Sequence, residues 1–131
     1  IMKKIFLIVL AIFISSCNNN DDNRNDFITL SGVYAEAQPL GNESHLINFI
    51  DVNNFAISKS NSNIYEGTYV LNSNSISLTY TIVNNQTCNS YCTDEFDIEI
   101  IDNSKFNISN FLYASIPENP LPNYILFEKS E

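Results

Sequence analysis

The sequence predicts an all-β fold: an antiparallel meander of about eight strands, closed as a small barrel or stacked as a sandwich and preceded by an N-terminal signal helix. Three observations predict it. From Ser75 to Val83 the residues alternate with a period of two. Ile76, Leu78, Tyr80 and Ile82 fall on one face, and Ser75, Ser77, Thr79 and Thr81 on the other. Phe96 to Ile101 repeats the pattern, with Phe96, Ile98 and Ile100 inward and Asp97 and Glu99 outward. Helical periodicity is nearly absent, and clusters of Asn, Asp and Ser interrupt the chain at short intervals.

Weaker alternation supplies the other strands. In chain order they are read at Phe27–Glu36, His45–Ile50, Phe55–Lys59, Ile64–Leu71, Lys105–Ser109 and Tyr124–Lys129. Asp51-Val52-Asn53-Asn54, Asn72-Ser73-Asn74 and Asp102-Asn103-Ser104 are turn candidates, because Asn and Asp tolerate left-handed geometry and bond to their own backbone. Pro117, Pro120 and Pro122 mark an extended loop before the last strand. A run of hairpins favours the barrel over the sandwich. A last strand returning to the first protects both edges.

Ahead of this domain lies a segment of another kind. Lys3 and Lys4 precede an apolar run from Ile5 to Ile14, and the small residues Ser15 and Ser16 follow. The run is too short to span a bilayer, which takes about 20 residues, and has the layout of a secretory signal peptide. Met2 reads as the start and Ile1 as an extension of the reading frame. Ile14-Ser15-Ser16-Cys17 resembles the bacterial lipobox. That resemblance implies diacylation of the Cys17 thiol, cleavage before it, and acylation of the new α-amino group. Several acyl chains on one residue anchor firmly, since each buried CH2 contributes about 0.8 kcal/mol. Asn18 to Asp26 contains no apolar residue and reads as a polar tether. Asp21-Asp22 is similar to the acidic surface-export signal of Bacteroidota lipoproteins. The division is therefore signal peptide over 1–16, lipidated Cys17 and tether over 17–26, and β-domain over 27–131.

Charge excludes some partners. Both signal-peptide lysines are lost on cleavage, which leaves four basic residues against 15 acidic ones and a net charge of −11. Such a surface repels nucleic acid and anionic membranes, so membrane attachment falls to the lipid on Cys17. Three N-glycosylation sequons, beginning at Asn42, Asn85 and Asn107, are chance matches behind a bacterial signal.

The domain also carries a resemblance. Leu30-Ser31-Gly32-Val33-Tyr34 resembles the Leu-x-Gly-x-Trp/Tyr opening of lipocalin-like and META (HslJ-like) domains. Tyr65-Glu66-Gly67-Thr68-Tyr69, continued through Leu78, is similar to their Gly-x-Tyr…Leu-x-Leu hairpin, and Tyr124 to Lys129 to their closing strand. It implies a small β-rich envelope protein without enzymatic activity.

Few residues suggest chemistry. Cys88 and Cys92 are the remaining thiols and, in an oxidising compartment, form a structural disulfide worth roughly 2 kcal/mol for so short a loop. It clamps the turn between the two clearest strands. His45, the only histidine, reads as a partly exposed residue at a strand start. A catalytic His45 needs a serine and a carboxylate in one cleft. Asp94, Glu95, Asp97, Glu99 and Asp102 read as a solvated acidic face rather than a calcium site. Tyr34, Tyr65, Tyr69, Tyr80, Tyr91 and Tyr113 read as packed core rather than a cavity wall. The expected function is non-enzymatic: an exported outer-membrane lipoprotein, at the cell surface or facing the periplasm, that binds or assists another envelope protein or binds a small extracellular ligand. No cofactor is expected. The alternative is a lipocalin-like carrier of a small apolar ligand, with an interior left open at Phe49, Tyr69, Leu78 and Phe96; a filled interior argues against it.

Overall fold

A computed structural model describes residues 29–60, 62–113 and 121–131. The expected signal helix, Cys17, the tether, Pro117 and Pro120 lie outside the described residues. Among the described residues there are nine strands: β1 Gly32–Glu36, β2 His45–Phe49, β3 Asn54–Lys59, β4 Ser62–Leu71, β5 Ser75–Val83, β6 Gln86–Thr87, β7 Thr93–Asp102, β8 Lys105–Ser109 and β9 Tyr124–Lys129. All pairings are antiparallel. Each strand of the series β1, β2, β3, β4, β5, β7, β8, β9 pairs with the next, and β9 pairs with β1 through Tyr34 opposite Lys129 and Glu36 opposite Phe127. The result is a closed eight-stranded barrel of hairpins, with β6 as an extra strand on the upper part of β5. Closure removes the sheet edges, so the backbone groups of β1 and β9 are paired rather than left open to another chain.

Several boundaries differ from the sequence reading by one or two residues, and two starts differ by more, each for a local reason. β1 begins at Gly32 and the described residues before it, Thr29 to Ser31, are not strand (Phe27 and Ile28 lie outside the described residues), because Gly32 adopts φ +87°, a left-handed turn that ends the ladder and suits glycine. β7 begins at Thr93, three residues before Phe96, because β5 pairs with it from that point. The Thr79 and Thr93 hydroxyls lie 3.2 Å apart across that pair.

The inward faces form one contiguous core. Tyr34, Ile47, Phe49, Phe55, Ile57, Tyr69, Ile76, Leu78, Tyr80, Ile98, Phe106, Ile108, Ile125 and Phe127 are buried, and Leu30 lies beneath them. Their rings meet across the interior. Phe49 packs edge-on against Tyr34, Tyr69 and Phe106 at centroid distances of 5.8, 4.9 and 6.0 Å, and Phe106 stacks on Phe127 at 5.4 Å. One expected inward residue is displaced. A bulge between Glu66 and Gly67 inserts Thr81 into β5, so Tyr80 faces Gly67, Ile82 faces Glu66 and Val83 faces Tyr65. Val83, not Ile82, then packs on the core. Gly67 makes this close approach possible, because a Cβ there would lie 1.9 Å from the Thr79 carbonyl oxygen.

The barrel's two ends are unlike. At one end the strands are joined by the tight turns 50–53, 72–74 and 103–104. Tyr34 donates its hydroxyl to the Asn103 carbonyl at 3.1 Å, and Tyr69 donates to the Asp51 carbonyl at 3.0 Å, so two core tyrosines staple two of these turns. The other end carries the longer connections 37–44 and 84–92 and the segment that begins at Asn110.

Candidate functional site

The polar group most deeply placed in this barrel sits at the long-loop end. Glu36 is the last residue of β1 and His45 the first of β2, one step beyond the Ala35–Leu46 pair of that hairpin. Both continue the inward face of their strands, after Tyr34 on β1 and before Ile47 and Phe49 on β2. The hairpin therefore turns a carboxylate and an imidazole into the end of the core. They are the two buried polar side chains among the described residues, and His45 is 1% exposed. This corrects the expectation of a partly exposed histidine: His45 occupies an inward position of the alternation, so its ring goes where the next two inward residues go.

Burial demands partners. His45 Nδ1 lies 3.1 Å from Glu36 Oε2. Tyr113, after β8, donates its hydroxyl to the same carboxylate, 2.7 Å from each oxygen. The Leu40 amide in the β1–β2 connection donates to the Tyr113 oxygen at 3.2 Å, and the Tyr113 ring meets His45 edge-on at 5.1 Å. Local structure aims Tyr113: the Asn110 side-chain oxygen accepts from the Leu112 and Tyr113 amides at 3.2 and 3.1 Å. Burial, assisted by the hydrogen bond to Glu36, pushes the Tyr113 hydroxyl up to about 12. Two residues earlier, Phe111 stacks on Phe96 at 4.5 Å and approaches Tyr65, which leans on Tyr80. The segment from Asn110 to Tyr113 thus lies over the long-loop end, with one aromatic on the core and one on the Glu36–His45 pair.

A carboxylate that orients an imidazole is half of a nucleophilic site. The other half is not part of this cluster: no serine hydroxyl is hydrogen-bonded to His45 among the described residues. The geometry instead fastens three segments to one another, namely the end of β1, the start of β2 and the connection after β8.

The other sequence candidates separate. Cys88 and Cys92 are joined by a disulfide within the β5–β7 connection. That loop bonds back to β5 through Cys88 N to the Thr81 carbonyl and Tyr80 N to the Cys92 carbonyl, at 2.9 and 2.6 Å. Tyr91, at its tip with φ 52°, is 99% exposed, against the expectation that it joins the core. The loop, not the barrel, sets its position. Asp94, Glu95, Asp97, Glu99 and Asp102 are all exposed. Among the described residues no three His, Cys, Asp or Glu side chains converge as metal ligands. Phe49, Tyr69 and Leu78 are buried and Phe96 lies under Phe111, so these four interior positions are filled. Shallow grooves of about 430 and 400 Å³ lie over β7–β8 and over β3–β4, lined mainly by Asn, Asp, Glu and Thr.

Glu36 and Tyr113 were not singled out by the sequence as a polar pair. Glu36 and His45 had one signal: a charged residue ending one strand and a histidine opening the next must face each other across the hairpin. Tyr113 had none, since 77 residues separate it from Glu36. No protein-family model matches the chain, and no curated protein or solved structure matches it.

Proposed function

We propose that this chain is an exported outer-membrane lipoprotein, held by acyl chains on Cys17, whose barrel has a non-enzymatic binding or accessory role in the cell envelope. The structural observation that supports the second half is the packing of four interior positions. Phe49, Tyr69 and Leu78 are buried among aromatic neighbours, and Phe111 covers Phe96, so binding falls to the outer surface and the loops. The first half rests on the sequence from Lys3 to Cys17 and on a mature charge that leaves the lipid as the means of attachment. The disulfide-linked Cys88 and Cys92 fit an oxidising, exported location. The test is expression in a bacterial host followed by detergent phase partition and intact mass. The parent enters the detergent phase with the mass of its acyl groups, and Cys17→Ser stays aqueous without them. A parent that stays aqueous and unacylated refutes the anchor.

The closed eight-stranded barrel and the Leu30 to Tyr34 resemblance are compatible with a second reading, a lipocalin-like carrier, while the packed positions Phe49, Tyr69, Leu78 and Phe96 count against it. Native mass spectrometry of the extracted protein separates the two. A stoichiometric apolar molecule favours the carrier, and an empty barrel favours the surface-binding reading.

A further inference from the structure

The four most exposed large aliphatic side chains among the described residues lie at one end of the barrel. Ile50 and Val52, in the β2–β3 turn, are 60% and 72% exposed. Val70 and Ile101, each one residue from the end of its strand, β4 and β7, are 61% and 52% exposed. They ring the tight-turn end from several sides. Among the described residues, the long-loop end exposes one large aliphatic, Leu40, and less of it.

The chain enters the barrel at the same end. The Tyr69 hydroxyl that bonds to the Asp51 carbonyl also reaches the Leu30 carbonyl, at 3.5 Å, so the first described residues run beside the turn that carries Ile50 and Val52. From Cys17 to Thr29 a fully extended chain reaches at most roughly 40 Å. The far end of the barrel lies a strand length further on, about 30 Å along ten-residue β4. An anchor at Cys17 therefore presents the tight-turn end to the membrane first. Tethering makes that encounter intramolecular, so a weak intrinsic affinity suffices.

The charges at this end have partners of their own. The Asp51 carboxylate accepts from Asn53 N and Asn54 N at 2.8 Å and from Asn54 Nδ2 at 2.7 Å. Asp102 accepts from Ser104 N and Oγ, and Lys105 pairs with Glu128, all at 2.7 Å. With Lys129 and Glu131 the end is acidic in balance, which suits zwitterionic lipid and not anionic lipid.

We propose that the tight-turn end rests on the lipid surface that carries the anchor, with Ile50, Val52, Val70 and Ile101 seated among its headgroups. The inference rests on the lipid-anchor reading of Cys17. It makes the tight-turn end a docking face for a bilayer and turns Tyr91 and the long loops away from it.

The chain has no tryptophan, so single tryptophans report position. The experiment uses acylated full-length Val52→Trp and Tyr91→Trp proteins in phosphatidylcholine vesicles with brominated acyl chains, with flotation and intact mass measured on the same samples. Val52→Trp fluorescence is quenched and Tyr91→Trp fluorescence is not. Adding Ile50→Asp to Val52→Trp lowers the quenching at least about threefold, the scale expected when an apolar contact is replaced by a charge. Protein that floats with neither tryptophan quenched overturns the seat and leaves the anchor standing. Equal quenching of both, or quenching that survives Ile50→Asp, also overturns it. Protein that neither floats nor carries acyl mass removes the anchor and the seat together. Circular dichroism matching the parent shows that the variants are folded.

Discussion

Replacing Tyr113 by Phe removes one oxygen and should cost the domain a measurable part of its stability. The hydroxyl donates to a Glu36 carboxylate whose side chain is 2% exposed, and it is 2.7 Å from both oxygens. Without it Glu36 keeps His45 as a partner, but its acceptor sites facing Tyr113 lose their donor. Losing a hydrogen bond to a buried charged acceptor costs about 2 kcal/mol, within a range of roughly 1–3. For a domain of about 100 residues that lowers Tm by on the order of 10 °C. The assay is thermal unfolding at neutral pH followed by circular dichroism, run as a double-mutant cycle with Glu36→Gln. The coupling between the two positions should be at least about 1 kcal/mol, because each loses what the other provides. A Tyr113→Phe protein melting within about 2 °C of the parent, well inside the scatter for a surface change, would refute the reasoning. In that case Glu36 is solvated, and the segment after β8 is not fastened to β1 and β2.

Gly67→Ala should destabilise by more than about 3 kcal/mol or prevent folding, because its Cβ meets the Thr79 carbonyl at 1.9 Å and backbone must move; a soluble Gly67→Ala protein with parental Tm refutes it. Reducing the Cys88–Cys92 disulfide should cost about 2 kcal/mol while the barrel stays folded, read as a lower denaturant midpoint and a mass gain of two hydrogens; an unchanged mass removes the disulfide. Alkali should unfold the protein cooperatively. Burial raises the hydroxyls of Tyr34, Tyr69, Tyr80 and Tyr113 above 10.0, with Tyr113 up to about 12. The unfolded chain gives up those protons first. Stability is therefore full below pH 10.0 and falls as pH rises through about 12. Phenolate absorbance and circular dichroism should change together in that window, and all tyrosines titrating near 10.0 with circular dichroism unchanged refutes the burial argument.

Most of the barrel was legible because one face of each of its eight strands is packed, whereas β6, exposed at both residues, left no such pattern. In such a sheet a one-residue slip exposes a whole inward set, so alternation, burial and pairing must agree. Ser75–Val83, Lys105–Ser109 and Tyr124–Lys129 carry their predicted bounds for that reason. The rule fails where the pairing itself shifts. Ile82 continues the alternation in sequence, but the bulge at Gly67 hands its inward place to Val83, and nothing in Ser75 to Val83 records what β4 does.

The polar cluster was hidden for two different reasons, one of which was avoidable. A lone histidine at a strand start reads as partly exposed by its type, whereas its register points it inward, two residues before Ile47. Taken with Glu36 at the end of the preceding strand, the same register places a carboxylate directly across from it. Residue type and strand phase disagreed at His45, and phase won because the carboxylate opposite satisfies the buried ring. Tyr113 was hidden in a stricter sense. Its contact with Glu36 requires β9 to return beside β1, which brings the segment after β8 over the β1–β2 hairpin. That arrangement is a property of the closed barrel and of no stretch within it. The cluster is thus a consequence of closure. Because Tyr113 reaches Glu36 only across the β1–β9 seam, the Tyr113–Glu36 coupling measures that seam in solution as well as the cluster itself.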